Sequence, residues 1–210
     1  MKLWKLSGLL LLAAFLAPAA NAQYISVSGG GLFPQSLSGT ATRGNFVGTA
    51  RADFDHTSVL AAEAGFGFLP FIGMDVHYSH SKPSLNLQIG DILGSSALAD
   101  LDSNTVTLDL RVRPPSAFGF RPFAFVGGGF SQFSLEVKNQ VAAPFPNGVP
   151  GNLYAPVISY GGGFDYKFIP LVGARLELRD DVITNISNKI YQPEGSWHRL
   201  AVTVGIVLGR

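Results

Sequence analysis

Cysteine is absent from the 210 residues. Whatever holds this chain together in an oxidising compartment is therefore neither a disulfide nor a thiolate metal site. Charge is scarce too: Asp, Glu, Lys and Arg make up 14% of the chain, and the formal net charge is +1. No strong field is available to draw in nucleic acid, and no nucleic-acid partner is expected. Long apolar runs are also missing, since none approaches the roughly 20 residues that a membrane-spanning helix needs. Any insertion into a bilayer must use strands.

One shorter apolar run stands at the start, MKLWKLSGLLLLAAFLAPAANAQ. It has Lys2 and Lys5, an apolar stretch from Leu6 to Ala17, Pro18, and small residues at Ala20-Asn21-Ala22. This reads as a signal peptide over residues 1–22, cleaved before Gln23, and leaves residues 23–210 as one domain. Its removal takes the formal charge from +1 to −1. What remains is rich in Gly, at 25 residues, and in Phe, at 16, a composition that suits many short strands with an apolar exterior.

The period-two signal is clearest in Ala155 to Asp181. Val172, Ala174, Leu176 and Leu178 share one face there, and Arg175, Glu177, Arg179 and Asp181 the other. Ile158, Tyr160, Phe164, Tyr166 and Phe168 alternate likewise with Ser159, Gly161, Gly163, Asp165 and Lys167. Only Ile169-Pro170 separates the halves, so the stretch predicts a hairpin. Six further strands follow the same pattern: Tyr24 to Phe33, Thr57 to Phe68, Phe71 to Ser81, Asp102 to Arg113, Arg121 to Val137 and Trp197 to Leu208. In the Arg121 to Val137 strand the apolar set Phe123, Phe125, Phe133, Leu135 and Val137 is expected to face outward, opposite Ala124, Gln132, Ser134 and Glu136. The stretches 34–56, 82–101, 138–153 and 181–196 show no lasting periodicity and read as long loops.

Eight strands with connections that alternate long and short predict an all-β, antiparallel, up-and-down transmembrane barrel. The short turns then face the periplasm, and both ends of the barrel domain lie on that side. The triple glycines at 29–31, 127–129 and 161–163 lack the Lys-Ser/Thr of a phosphate-binding loop. They read as points where a narrow barrel bends and aromatic neighbours cover the backbone.

The segments RPFAFVGGGFSQF, YGGGFDYKFIPLVGARLELRDD and WHRLAVTVGIVLGR resemble OmpA/OmpX-like eight-stranded outer-membrane barrels, especially the stand-alone outer-membrane β-barrel domain. The likeness spans the chain after the leader. It implies residence in the outer membrane of a Gram-negative-type envelope, with membrane lipid as surroundings. It also implies a monomer with a structural or surface-interaction role, and loops that meet extracellular ligands. The family commonly ends its last strand on Phe, whereas this chain ends Val207-Leu208-Gly209-Arg210. The peptidoglycan-binding domain of longer relatives is not expected.

The inward charged set is Glu63, Asp75, Asp109, Arg111, Glu136, Asp165, Lys167, Arg175, Glu177, Arg179 and Arg199, with His77 beside it. Eight strands enclose a space that side chains just fill, and buried charges need partners. A salt-bridged plug is therefore expected, with a narrow-pore channel as the alternative. A second alternative is an outer-leaflet lipid-modifying enzyme. Lipid A deacylases are eight-stranded barrels with a Ser-His-acid triad, but their His-x-Ser lies near the C-terminus and faces lipid, whereas His77-Tyr78-Ser79 here lies on the third strand and points inward. Asp100, Asp102 and Asn104 imitate the start of a calcium loop but lack its Gly and Glu. His77 and His80 fall on opposite strand faces. No catalytic residue, cofactor or metal is expected.

Overall fold

In a computed structural model the described residues are 24–43, 46–89, 97–115, 119–137, 153–184, 191–193 and 196–209. The leader reading and the 138–153 loop reading, up to residue 152, fall outside them. In chain order the strands are β1 Tyr24–Pro34, β2 Leu37–Arg43, β3 Phe46–Phe54, β4 Thr57–Gly67, β5 Ile72–Ser81, β6 Ser84–Ile89, β7 Ala97–Val112, β8 Phe120–Val137, β9 Leu153–Ile169, β10 Val172–Ile183, β11 Tyr191–Pro193 and β12 Trp197–Gly209. Among the described residues there is no helix.

Eight of these strands close a barrel in the order β1-β4-β5-β7-β8-β9-β10-β12, each antiparallel to both neighbours. Closure comes from the first and last strands, which pair from Tyr24 with Gly209 to Pro34 with Arg199. Closing the sheet removes its edges, so every backbone polar group within the wall can be satisfied without water. The strands join at one end through short turns. At one of these, Gly119 adopts φ +83°, and its carbonyl accepts a hydrogen bond from Lys167 N.

The outer face is apolar along nearly its whole height. Leu60 is 65% exposed and Val204 60%, and Val27, Leu108, Leu178 and Ile206 are exposed with them. Near the short turns, Phe66, Phe68, Phe120, Phe164, Tyr166 and Phe168 form an aromatic girdle with ring-to-ring contacts between 4.8 and 6.4 Å. An apolar band rimmed by aromatics matches hydrocarbon and headgroup layers, not water.

Three of the expected loops contain strands. Residues 34–56 hold the β2–β3 hairpin, 82–101 hold β6 and the first residues of β7, and 181–196 hold the end of β10 and β11. The order β11-β2-β3-β6-β7 extends the sheet past the long-loop end of the barrel. Their pairing is backbone to backbone, and only Leu37, Ala52 and Phe54 of β2 and β3 join the buried apolar cluster, too few positions for side-chain periodicity to report.

The expected facing of β8 is inverted. Phe123, Phe125 and Phe133 are buried inside, with Ser131 between them, whereas Val126 and Phe130 face outward. Both faces of this strand carry large apolar groups, so alternation by itself does not say which is inside. The neighbours in the lumen do.

Candidate functional site in the lumen

The barrel interior is built in tiers of charge, each supplied by inward positions of neighbouring strands. In the tier nearest the short turns, Arg111 from β7 and Arg175 from β10 grip Glu63 from β4. Arg111 Nη2 lies 2.5 Å from Glu63 Oε2, and Arg175 Nη1 bonds Glu63 Oε1. Arg111 Nε contacts Asp75, and Arg175 forks onto Asp165 with Nε at 2.7 Å and Nη2 at 3.0 Å. Tyr24 donates its hydroxyl to Glu63 Oε1 at 2.6 Å and also meets Asp75. The Arg113 guanidinium stacks 3.9 Å over the Tyr24 ring, with its Nη2 3.7 Å from Asp75.

In the middle tier Arg179 spans three partners: Asp109 Oδ2 at 2.7 Å, Glu177 Oε1 at 3.0 Å and Thr107 Oγ1 at 3.3 Å. Glu177 Oε2 lies 3.6 Å from Arg111 Nη2, which ties the two tiers together. The third tier centres on Arg199. It bonds Ser103 and Thr105 at 2.7 Å each, Ser131 at 3.2 Å and Asp181 at 3.3 Å, and Asp181 in turn accepts from Ser159 at 2.5 Å.

The inward phenylalanines of β8 belong to this network. Arg111 lies 4.3 Å from the Phe123 ring centre and Arg179 4.1 Å from that of Phe125. A guanidinium is weakly hydrated and stacks on aromatic faces, so the rings cover the flat sides of cations whose edges meet carboxylates. The room for these rings comes from glycine. A Cβ at Gly161 would approach Phe125 Cζ to 2.8 Å, and one at Gly163 would approach Phe123 Cζ to 2.9 Å.

Above the third tier the interior turns apolar. Trp197, Phe133, Ile183, Leu101, Val157 and Leu37 are buried together, and Phe54 from β3 stacks 4.5 Å from Trp197. Trp197 donates its indole N–H to the Gln35 carbonyl at 2.8 Å. Thus the β2–β3 extension helps to cap the lumen.

Of the charged residues singled out in the sequence, Glu63, Asp75, Asp109, Arg111, Asp165, Arg175, Glu177, Arg179 and Arg199 meet inside the barrel. Lys167 does not join them. Its ammonium reaches the carbonyls of Pro170 at 3.4 Å and Gly209 at 3.3 Å at the short-turn rim. Glu136 has its backbone in β8 opposite Asp100, and its side chain lies outside the described residues. Tyr24, Arg113, Ser103, Thr105, Ser131 and Ser159 are network members that the charge pattern passed over. Each but Arg113, which lies one residue past the end of β7, occupies an inward position of its strand, so the signal that would have found those five is parity, not charge.

His77 and Ser79 both point inward and are buried. His77 Nδ1 lies 3.7 Å from Glu63 Oε2, beyond hydrogen-bond reach, and has no hydrogen-bond partner among the described residues. Glu63 and Asp75 are already engaged by Arg111, so these groups do not make the mutual contacts that nucleophilic chemistry needs. Glu63, His77 and Glu177 could offer a metal three atoms within 4.8 Å of one another. A dication there would have to displace Arg111 from Glu63, so the donor set fits guanidinium better than metal. At the calcium-like stretch, Asp102 pairs with Lys82 at 3.0 Å and Asp100 accepts from Ser84 at 2.9 Å.

No protein-family model matches this chain, and no curated protein does. Solved structures do share its fold. The outer membrane protein OprG from Pseudomonas aeruginosa superposes with a TM-score of 0.62 at 15% identity, covering 90% of this chain and 97% of that one. Neisserial surface protein A gives 0.51 at 9% identity over 90% and 98%. The outer membrane protein AlkL, solved in lipid bilayers, gives 0.50 at 12% identity over 89% of each. At these identities the likeness is one of fold.

Proposed function

We propose that this eight-stranded outer-membrane β-barrel is a sealed platform, one that holds its long-loop end at the cell surface for external partners and passes no ions through its lumen. The observation that carries the reading is the filled interior. A cavity among the upper tiers, lined by Ser79, Glu177, Arg179, Arg199 and Thr203 among others, has a volume of only about 10 Å³, room for about one water molecule. Among the described residues, three tiers of paired charge and an apolar cap stand one above the other along the axis, which supports a closed lumen.

The apolar outer wall supports residence in lipid, and the fold supports the outer membrane as the bilayer concerned. The β2–β3 extension then stands at the outer side as a folded surface, with the chain working as a monomer. Planar-bilayer recording of the refolded barrel tests the reading. The expected trace has no large, stable conductance step, and a steady step of that kind would mean that the lumen is an open channel.

A further inference from the structure

The lipid-facing wall carries a polar group that the lumen does not explain. Asp180 on β10 and His198 on β12 both point out of the barrel. Asp180 lies eight residues above Val172 at the short-turn end. With a rise of about 3.3 Å per residue and a strand tilt of about 40°, that puts it about 20 Å up an apolar band about 25 Å tall. It therefore sits at the edge where acyl chains give way to headgroups. A carboxylate on a lipid-facing wall is costly, and ionisable groups found there usually serve a function.

The side chains around Asp180 are arranged in a line. His198 Nδ1 is 2.9 Å from Asp180 Oδ2, and Ser196 Oγ is 3.3 Å from His198 Nε2. Tyr160 donates its hydroxyl to the same carboxylate oxygen at 2.7 Å and steadies it from the other side. A carboxylate at Nδ1 fixes the imidazole tautomer, so that Nε2 is the free base facing the serine hydroxyl. The contact of 3.3 Å is at the loose end for a nucleophile and its base, as is common without substrate. Ser196 is exposed. Exposed Leu178, Leu200, Ile158 and Phe33 lie below it on the same wall, near the level of Asp180. In register, Leu200 stands directly opposite Asp180 and Phe33 opposite Leu200.

We propose that Ser196, His198 and Asp180 form a hydrolytic site on the outer wall of the barrel, acting on acyl esters of lipids in the surrounding leaflet. Ser196 Oγ attacks the ester carbonyl while His198 Nε2 takes the serine proton. The ester C–O bond breaks, and the departing alcohol receives that proton. A water molecule, deprotonated by the same nitrogen, then splits the acyl-serine bond and releases the fatty acid and the free serine. Asp180 holds the imidazole and stabilises its charged form, and Tyr160 positions Asp180. Ser196 stands above the apolar band, and the apolar residues below it, near the level of Asp180, lie where the acyl chain of a bilayer lipid already runs. A sealed lumen is neither required nor contradicted.

The test uses the refolded barrel in detergent micelles, with folding of each variant checked by its heat-modifiable gel migration. A fluorophosphonate probe should label Ser196, located by mass spectrometry, and Ser196→Ala should abolish labelling. Hydrolysis of p-nitrophenyl palmitate in mixed micelles should outpace that of p-nitrophenyl acetate and fall by at least about 100-fold in His198→Gln and Asp180→Asn. Because the chain has no other thiol, Ser196→Cys gives a second readout. Its alkylation by iodoacetamide should slow when His198→Gln is added. A folded barrel that leaves Ser196 unlabelled, or a Ser196→Cys thiol indifferent to His198, would overturn the site. Faster turnover of the acetate would overturn its assignment to lipid. Bilayer conductance is read separately, so the two proposals fail independently.

Discussion

Arg111 is the residue on which the lumen depends most, and replacing it tests whether the tiers are a bonded plug. It is fully buried, contacts Asp75 and Glu63, faces Glu177 at 3.6 Å and stacks on Phe123. In Arg111→Met the stem volume is kept and the charge is lost. Glu63 would still hold Arg175, but Asp75 would be left with Tyr24 and with Arg113 no nearer than 3.7 Å. A buried carboxylate stripped of its main cation costs about 3 to 5 kcal/mol. Glu177→Ala is the comparison. Its partner Arg179 retains Asp109, and Arg111 retains Glu63 and Asp75, so the loss should be about 1 to 3 kcal/mol, the range for one removed hydrogen-bond partner. Denaturant unfolding from lipid vesicles reads both. In a barrel spanning residues 23–210 Trp197 is the only tryptophan, so its fluorescence follows the cap directly. Arg111→Met should lower the midpoint more than Glu177→Ala at unchanged slope. Equal midpoints, or no shift in Arg111→Met, would mean that water reaches these charges and that the plug does not exist.

The facing of β8 can be read by single cysteines in this thiol-free chain. Phe130→Cys should react with a membrane-soluble maleimide in vesicles, whereas Phe125→Cys should stay protected until the barrel unfolds. Gly163→Val should destabilise by about 1 to 3 kcal/mol, the usual cost of overpacking, because its side chain would meet Phe123 and the β10 backbone; thermal unfolding measures the shift. Trp197→Ala should cost about 3 to 5 kcal/mol through loss of the cap and still show no conductance in a planar bilayer, since the charged tiers below remain. In the outer hairpin, the Ser36 hydroxyl first and then Arg51 hold the Asp53 carboxyl below the usual carboxylate range. Its folded form is the more acidic, so its small stabilisation is present above about pH 4 and fades as pH falls through the folded value. An NMR titration of Asp53 should therefore move to higher pH in Arg51→Ala.

Strand periodicity and turn residues were enough to read eight membrane strands, their order and the apolar outer wall from the chain alone. Lipid outside and charge inside impose opposite chemistries on alternate positions, and the hairpin around Ile169-Pro170 displays both. Alternation is silent where both faces of a strand are apolar. In β8 the inward placing of Phe123 and Phe125 was decided by guanidinium groups from β7 and β10, which are remote in sequence. It is silent again where strands pair above the membrane and only a few of their positions, such as Leu37, Ala52 and Phe54, meet the apolar cap, as in β2 and β3. The lumen partners, too, were only half legible: charges on inward positions announce themselves, but Ser103, Thr105, Ser131 and Tyr24 become network members only when the wall curves around Arg199 and Arg111. The outer-wall line of Ser196, His198 and Asp180 was hidden for the same reason. Ser196 and His198 are near neighbours in sequence, but Asp180 belongs to another strand, and only the β10–β12 register brings its carboxylate beside the histidine.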